Sequence, residues 1–346
     1  MSDSTPRSAD ADLGWCYDIV DDVSRTFALT IAELDEPLSS EICIGYLLCR
    51  VADTIEDAEH IPASTQSELL ALYHGVLDPG DVVTVSRFME SVEEWFPSTR
   101  SADWQVVAET PRVIATFQEL PVASREEIRP PIQEMVDGMI EFIDRYAEDG
   151  GLRVQTLDEL EEYCWYAAGT VGCLVTGLVT RDASPDLRDR LYETADSFGL
   201  LLQLVNVAKD VTVDYEEENN VYVPVDLLQA HGLTPGDIGD EDLSEEFEPV
   251  ITTVVEEAEA HVEGARTWLG EMPTQRGNTL SAWAVPFLLA VGTMRELRDR
   301  PADVITDGDV QVSRDEVFAL LEVFSGSTDP SVKDLEKRMR QGTLGQ

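Results

Sequence analysis

Apolar residues recur every three to four positions along almost the whole chain, and strict alternation is scarce. Leu13, Cys16, Ile19, Val20, Val23 and Phe27 trace one face of an amphipathic helix. The stretch from Ile42 to Asp57 is apolar on most sides and reads as a buried helix. The same periodicity predicts helices near 64–77, 83–95, 102–118, 124–147 and 156–180. It predicts a long helical run from Leu187 to Asp214, then helices near 247–270, 278–298, 313–325 and 330–340. Pro130-Pro131 opens or interrupts a long helix, and Gly150-Gly151 closes one. Asn220-Val-Tyr-Val-Pro224 alternates, but it is short and ends in proline. No repeat, linker or composition break divides the chain. The pattern therefore predicts one all-α domain over residues 11–345, behind a polar, disordered segment at 1–10.

Two helices break the apolar pattern in the same way. Tyr46, Arg50, Asp53 and Asp57 fall at i, i+4, i+7 and i+11 among Ile42, Ile44, Leu47, Leu48, Val51 and Ile55. Gln203, Asn206, Asp210 and Asp214 fall at i, i+3, i+7 and i+11 among Leu200, Leu201, Leu204, Val205 and Val207. Each stripe ends in two aspartates four residues apart, one turn along one helix face. Polar groups along an apolar helix are costly unless they are paired or coordinate something. Two such faces opposed across a cavity would cage hard divalent cations, and Mg²⁺ held that way bridges to phosphate. Acidic pairs at this spacing also arise by chance in so acidic a chain, so two solvated surface faces are the alternative.

Charge narrows the choice. The 346 residues include 69 acidic and 24 basic ones, a formal charge of −45. That argues against nucleic acid or an anionic membrane as an electrostatic partner. With 43% hydrophobic residues the chain has ample core material, so the acidity does not read as disorder. Lys209, Lys333 and Lys337 are the only lysines. A lysine-poor acidic surface suits a salt-filled, halophilic cytoplasm, where 1 M salt screens charge to about 3 Å. Scarce cations then carry information: Arg50 lies one turn before Asp53, Lys209 adjoins Asp210, and Arg25 sits in Ser24-Arg25-Thr26-Phe27. Each alone would be an ordinary salt bridge; together with Mg²⁺ they would balance a diphosphate.

Other chemistries lack their motifs. Cys16, Cys43, Cys49, Cys164 and Cys173 form no C-x-x-C pair and read as buried reduced thiols, which suits a cytoplasmic protein. His60, His74, His231 and His261 occur in no metal motif, and no P-loop, G-x-S-x-G or G-x-G-x-x-G is present. The N-terminus lacks the regions of a signal peptide. The apolar run Ala282 to Gly292 is shorter than the ~20 residues of a membrane span, so no transmembrane segment is expected. In Tyr163-Cys-Trp-Tyr-Ala-Ala-Gly-Thr-Val-Gly172, the small residues at 167, 168, 169 and 172 admit either a tightly packed helix or a ligand.

Taken together, these blocks resemble the head-to-head prenyl synthases: squalene, dehydrosqualene and phytoene synthases. The resemblance runs from Asp12 to Arg298. It is carried by Ser24-Arg25-Thr26-Phe27, the D-x-x-E-D at 53–57, the segment 163–172, and Gln203-Leu-Val-Asn206-x-x-Lys-Asp210-x-x-x-Asp214 with Val-Tyr-Val-Pro224. It implies an isoprenoid-synthase-type helical bundle around a central cavity. Asp53, Glu56, Asp57, Asp210 and Asp214 would be metal ligands. Tyr163, Tyr46, Arg25, Arg50 and Lys209 would be catalytic, with Arg25, Arg50, Lys209, Gln203 and Asn206 also on the substrate. Two farnesyl diphosphates would ionise with Mg²⁺, Tyr163 would assist proton loss to presqualene diphosphate, and NADPH would supply hydride. No residues are assigned to NADPH. A monomer is expected, and so apolar a product would suit a transient membrane contact near the cavity mouth. Asp-Thr-Ile-Glu-Asp is the squalene synthase form. Val213 and Lys209 depart from the usual residues, and Val-Tyr-Val-Pro is closer to phytoene synthases, so phytoene or dehydrosqualene stays open as the product. A non-catalytic, cation-binding acidic protein is the rival from another class.

Overall fold

The computed structural model describes residues 9–306, 308, 310–326 and 330–344, and at 9–11 and 26 the backbone alone. The N-terminal segment expected to be disordered lies outside the described residues as far as residue 8. Its last two positions open the first helix. The helices are α1 (Ala9–Val23), α2 (Arg25–Ala32), α3 (Leu38–Glu56), α4 (Ala63–Leu77), α5 (Val85–Val92), α6 (Ala102–Ala108), α7 (Thr110–Glu119) and α8 (Val122–Arg145). Then come α9 (Leu157–Cys164), a π turn (Trp165–Gly169), α10 (Thr170–Thr180), α11 (Pro185–Tyr192), α12 (Ala195–Lys209), α13 (Val211–Glu218) and α14 (Val225–Ala230). The chain continues through α15 (Ser244–Glu271), α16 (Leu280–Asp299), α17 (Asp303–Thr306), α18 (Arg314–Phe324) and α19 (Val332–Arg340). Among the described residues there is no strand, and the fold is all-α.

Three runs read as single helices are divided. Ser24 ends the first and caps the next: its Oγ accepts the Phe27 N–H at 3.3 Å. The run at 102–118 breaks at Glu109 because Pro111 sits in the first turn of α7, where a missing N–H is harmless. The run from Leu187 to Asp214 is three helices, with non-helical backbone at Thr194 and at Asp210. Pro130 and Pro131 do the opposite of interrupting: α8 runs through them. Its buried face of Ile128, Ile132, Met135, Met139 and Phe142 outweighs the lost backbone bonds.

Tertiary contacts divide the chain into two compact units. One comprises residues up to Asp144, Leu174–Arg188 and Pro273–Thr279; the other comprises Arg145–Cys173, Asp189–Met272 and residues from Leu280. The sequence showed no such division because the chain passes between the units several times, with no composition change at the crossings. In the first unit α3 is the core, with Ile42, Ile44, Leu47, Leu48, Val51 and Ile55 at 2% exposure or less. At about 1.5–3 kcal/mol for each buried side chain, this face holds the helix that carries Asp53. Tyr73 of α4 donates its hydroxyl to Leu48 O at 2.8 Å, so even its polar end is satisfied inside.

In the second unit α12 packs against α15, α16 and the π turn. The small residues at 168–172 serve that contact. A Cβ on Gly199 would meet the Ala168 carbonyl, and one on Gly172 would meet that of Ala195. Of the two uses open to the small-residue segment, the structure shows close helix packing. The α19 helix is tied down by ions: Glu336 accepts from Arg266 at 2.8 and 3.1 Å and from Arg340 at 3.0 Å. The stretch 220–224 makes one parallel bridge, Arg153 with Val221. The helical stretch Leu157–Thr180 is long and apolar enough to cross a membrane, which the apolar-run argument missed. Of its most apolar window, 61% is buried inside the protein. All five cysteines are free, four of them buried.

Candidate active site

The first carboxylate pair grows out of α3. Every residue of this helix is buried except Tyr46, Arg50 and Asp53. The polar stripe is thus the one open line on a core helix, not the broad wet face of a surface helix. Phe27 stacks on the Tyr46 ring at 4.2 Å, which seats the Ser24–Phe27 block beside the stripe. Arg50 donates from Nη2 to the Tyr46 hydroxyl at 3.0 Å. Its Nε lies 3.9 Å from Asp53 and 3.8 Å from Asp103, and that buried nitrogen has no hydrogen-bond partner. Burial would lower the Arg50 pKa, but Asp53, then Tyr46 and Asp103, hold it above its ordinary value.

Asp53 is pushed up to about 6. Burial is the main cause; Arg50 opposes it and Asp103 adds to it. The Asp57 N–H donates to Asp53 O at 2.9 Å, so the two aspartates sit one helical turn apart as the spacing requires. Glu56 is buried at 6% exposure. The helix end is fixed by Gln66, whose Nε2 donates to the carbonyls of Ile55, Glu56 and Ala58 at 3.0, 2.6 and 3.4 Å. Arg25 is exposed at the start of α2, two residues before Phe27.

The second pair sits where α12 gives way to α13. Asp210 has non-helical φ and ψ, yet its N–H still donates to Asn206 O at 2.9 Å. Asp214 N–H donates to Asp210 O at 2.8 Å. The helix bends without losing the i, i+4 relation of the aspartates. Lys209 contacts Asp210 directly through Nζ. Asp214 is pushed up to about 8 by burial first, then by Glu218 and Asp210, with Lys209 opposing. Gln203 is half-buried and Asn206 exposed. Among the described residues no side-chain hydrogen bond joins either to the aspartates.

In the same unit Tyr163 is 5% exposed on the last turn of α9, just before the π turn. Its hydroxyl donates to that of Tyr222 at 3.1 Å.

Among the described residues no three His, Cys, Asp or Glu side chains are gathered as a ready cation site. Mg²⁺ does not require one: it keeps several waters and takes one or two carboxylates together with phosphate oxygens. The donors present are hard oxygens in pairs. Asp53 and Asp214, pushed up by burial, are carboxylates whose charge the protein itself compensates poorly. The pairs fit that cation. Asp103 and Gln66 escaped the sequence reading, and Asn220 and Tyr222 were noted only as part of the 220–224 stretch, with no role. Asp103 follows the N-cap Ser101 like any acid in a first helical turn, and nothing in the sequence ties it to Asp53.

The described fold is all-α and carries two aspartate pairs, each with a basic residue beside it. Residues 20–316 match the squalene/phytoene synthase family model, and the chain belongs to that family. It is 27% identical over 83% of its length to a squalene synthase of Schizosaccharomyces pombe, spanning 60% of that protein. It is 30% identical over 63% of its length to a presqualene diphosphate synthase of Botryococcus braunii, spanning 49% of that protein. The chain thus spans about half to 60% of the length of these relatives. The solved structure of TcSQS with the ligand E5700 superposes with a TM-score of 0.75 at 23% identity, covering 97% of this chain and 98% of that one.

Proposed function

We propose that the protein joins two farnesyl diphosphates head to head, through presqualene diphosphate, to squalene. The observation that carries this reading is the Tyr46–Arg50–Asp53 line, open on an otherwise buried helix inside the family-matching region. Asp53, Asp57 and Glu56 in one unit, and Asp210 and Asp214 in the other, would hold Mg²⁺. Bound Mg²⁺ supplies neutralising charge for the diphosphate leaving group. Arg25 and Arg50 in the first unit, and Lys209 in the second, would donate to diphosphate oxygens, which favours ionisation of the C1–O bond to an allylic cation. Gln203 and Asn206 orient the diphosphate. Tyr163 assists the proton loss that closes the cyclopropane, and the released diphosphate carries the proton away. Apolar side chains around the prenyl chains keep out water, which would trap the cation as an alcohol.

NADPH enters as the hydride source on similarity to squalene synthases alone, and no residues of this chain are assigned to it. The Botryococcus braunii relative favours a second reading, in which the reaction stops at presqualene diphosphate. Phytoene or dehydrosqualene, made without hydride, is the other outcome. The proposal extends to a monomer in a salt-rich cytoplasm.

Identifying the products from farnesyl and from geranylgeranyl diphosphate, with and without NADPH, tests it. Squalene formed only with NADPH supports the proposal. Accumulated presqualene diphosphate in the presence of NADPH, or phytoene from the C20 substrate, overturns it.

A further inference from the structure

The strongest unassigned feature is the polar chain behind Tyr163, which lies wholly within the second unit. Tyr163 and Tyr222 stack with ring centroids 4.7 Å apart, and the Tyr163 hydroxyl donates to the Tyr222 oxygen at 3.1 Å. Asn220 Nδ2 also donates to that oxygen at 3.1 Å. The Asn220 carbonyl oxygen in turn accepts the Leu152 N–H at 2.9 Å. All three side chains are buried, at 5–7% exposure. A buried hydroxyl in a low-dielectric site points where its partners direct it.

The platform under Tyr222 is built to stay still. Val221 N–H donates to Leu152 O at 2.9 Å, Val154 N–H to Val221 O at 3.1 Å, and Val225 N–H to Val154 O at 2.9 Å. Arg153 donates to both the backbone and side-chain oxygens of Asn219, at 2.5 and 2.7 Å. Asn219 is itself held in the left-handed region at φ 56°. A non-glycine residue kept in that conformation, clasped by an arginine, marks a segment whose geometry is over-determined. The π turn that follows Tyr163 is another irregularity of the kind found beside functional groups.

We infer that Tyr222, held by Asn220, is a positioning residue for Tyr163: it accepts a hydrogen bond from the Tyr163 hydroxyl and so turns the oxygen lone pairs of Tyr163 away from itself, toward the substrate. This rests on the role proposed above for Tyr163. A neutral phenol assists proton loss through oxygen lone pairs aimed at the departing proton, which leaves with the released diphosphate. The Tyr163-to-Tyr222 bond keeps the Tyr163 hydroxyl proton out of that direction, and neither ring changes charge. Tyr222 itself need not touch substrate.

The test compares wild type, Tyr163→Phe and Tyr222→Phe, the last keeping ring and stacking. Formation of presqualene diphosphate from farnesyl diphosphate is followed in all three. Tyr222→Phe should lower kcat about 10- to 100-fold with KM unchanged, the mark of lost alignment and not of lost binding. If Tyr163→Phe is inactive while Tyr222→Phe matches wild type, the positioning role falls and the proposed function stands. If Tyr163→Phe is fully active, the role of Tyr163 falls and this inference with it. A readout independent of turnover is hydroxyl exchange at Tyr163, followed by NMR on ring ζ-carbon-labelled tyrosine. Exchange should be slow in wild type and accelerate in Tyr222→Phe; equal rates overturn the inference.

Discussion

Asp53→Asn should make the unliganded protein more stable while abolishing its chemistry. The amide keeps the shape of the side chain and removes a charge that the fold holds at a cost. The carboxyl rises from 3.8 to about 6 in the folded protein. At about 1.4 kcal/mol per pH unit that is about 3 kcal/mol, an upper bound because 26% of the side chain remains wet. The sign follows from proton counting. Between pH 3.8 and 6 the folded state binds the proton more tightly than the unfolded chain. Stability therefore falls as pH rises through that window, and the full penalty stands above pH 6.

Urea unfolding in concentrated KCl at pH 7.5 should place the variant about 1–3 kcal/mol above wild type, and the gap should close at pH 4. Mg²⁺ with inorganic diphosphate should reverse the order. Ligand at 100 times its Kd adds about 2.7 kcal/mol to whichever protein binds it, and only wild type keeps the carboxylate. A variant less stable than wild type without ligand, or equally stabilised with it, would refute the reasoning.

Gly199→Ala drives a methyl group into the Ala168 carbonyl; a loss of about 3 kcal/mol or more is expected in thermal unfolding, with activity falling as α12 shifts. Glu336→Gln breaks the ion cluster, with Arg340 of the same helix, that ties α19 to Arg266 of α15. Although burial alone would raise the Glu336 carboxyl, those arginines hold it below its ordinary value. Its stabilising contribution is full above pH 4.5 and is lost as pH falls further, so the variant should lose about 3 kcal/mol at pH 7 and almost nothing at acid pH. Dilution from 2 M to 0.1 M KCl widens charge screening to about 10 Å. With a charge of −45, the protein should then lose helical circular dichroism at a lower temperature.

The helices were legible because burial imposes the 3.6-residue period on the sequence. The stripe Tyr46–Arg50–Asp53 was legible for the same reason in reverse, as polar residues on a helix with no wet side to spare. Helix ends were less so. Ser24 acts through one hydroxyl, and the bend at Asp210 through one backbone torsion, neither of which disturbs periodicity. Pro130-Pro131 misled because burial of one face overrode a local rule. The partners of the site residues were not legible at all. Asp103 meets Arg50, Gln66 closes α3, and Tyr222 meets Tyr163, each across a separation that only the tertiary fold removes. The division into two units left no trace because the chain crosses between them without a change in composition.

The central claim is that the aspartate pairs support ionisation of a prenyl diphosphate. Its most direct test is Mg²⁺-dependent release of inorganic diphosphate from farnesyl diphosphate, measured in concentrated KCl for wild type, Asp53→Asn and Asp210→Asn, with circular dichroism as the check on folding. The account predicts release by wild type only with Mg²⁺, and a fall of about 100-fold or more in each variant while the helical signal is unchanged. Either variant releasing diphosphate at the wild-type rate would contradict it.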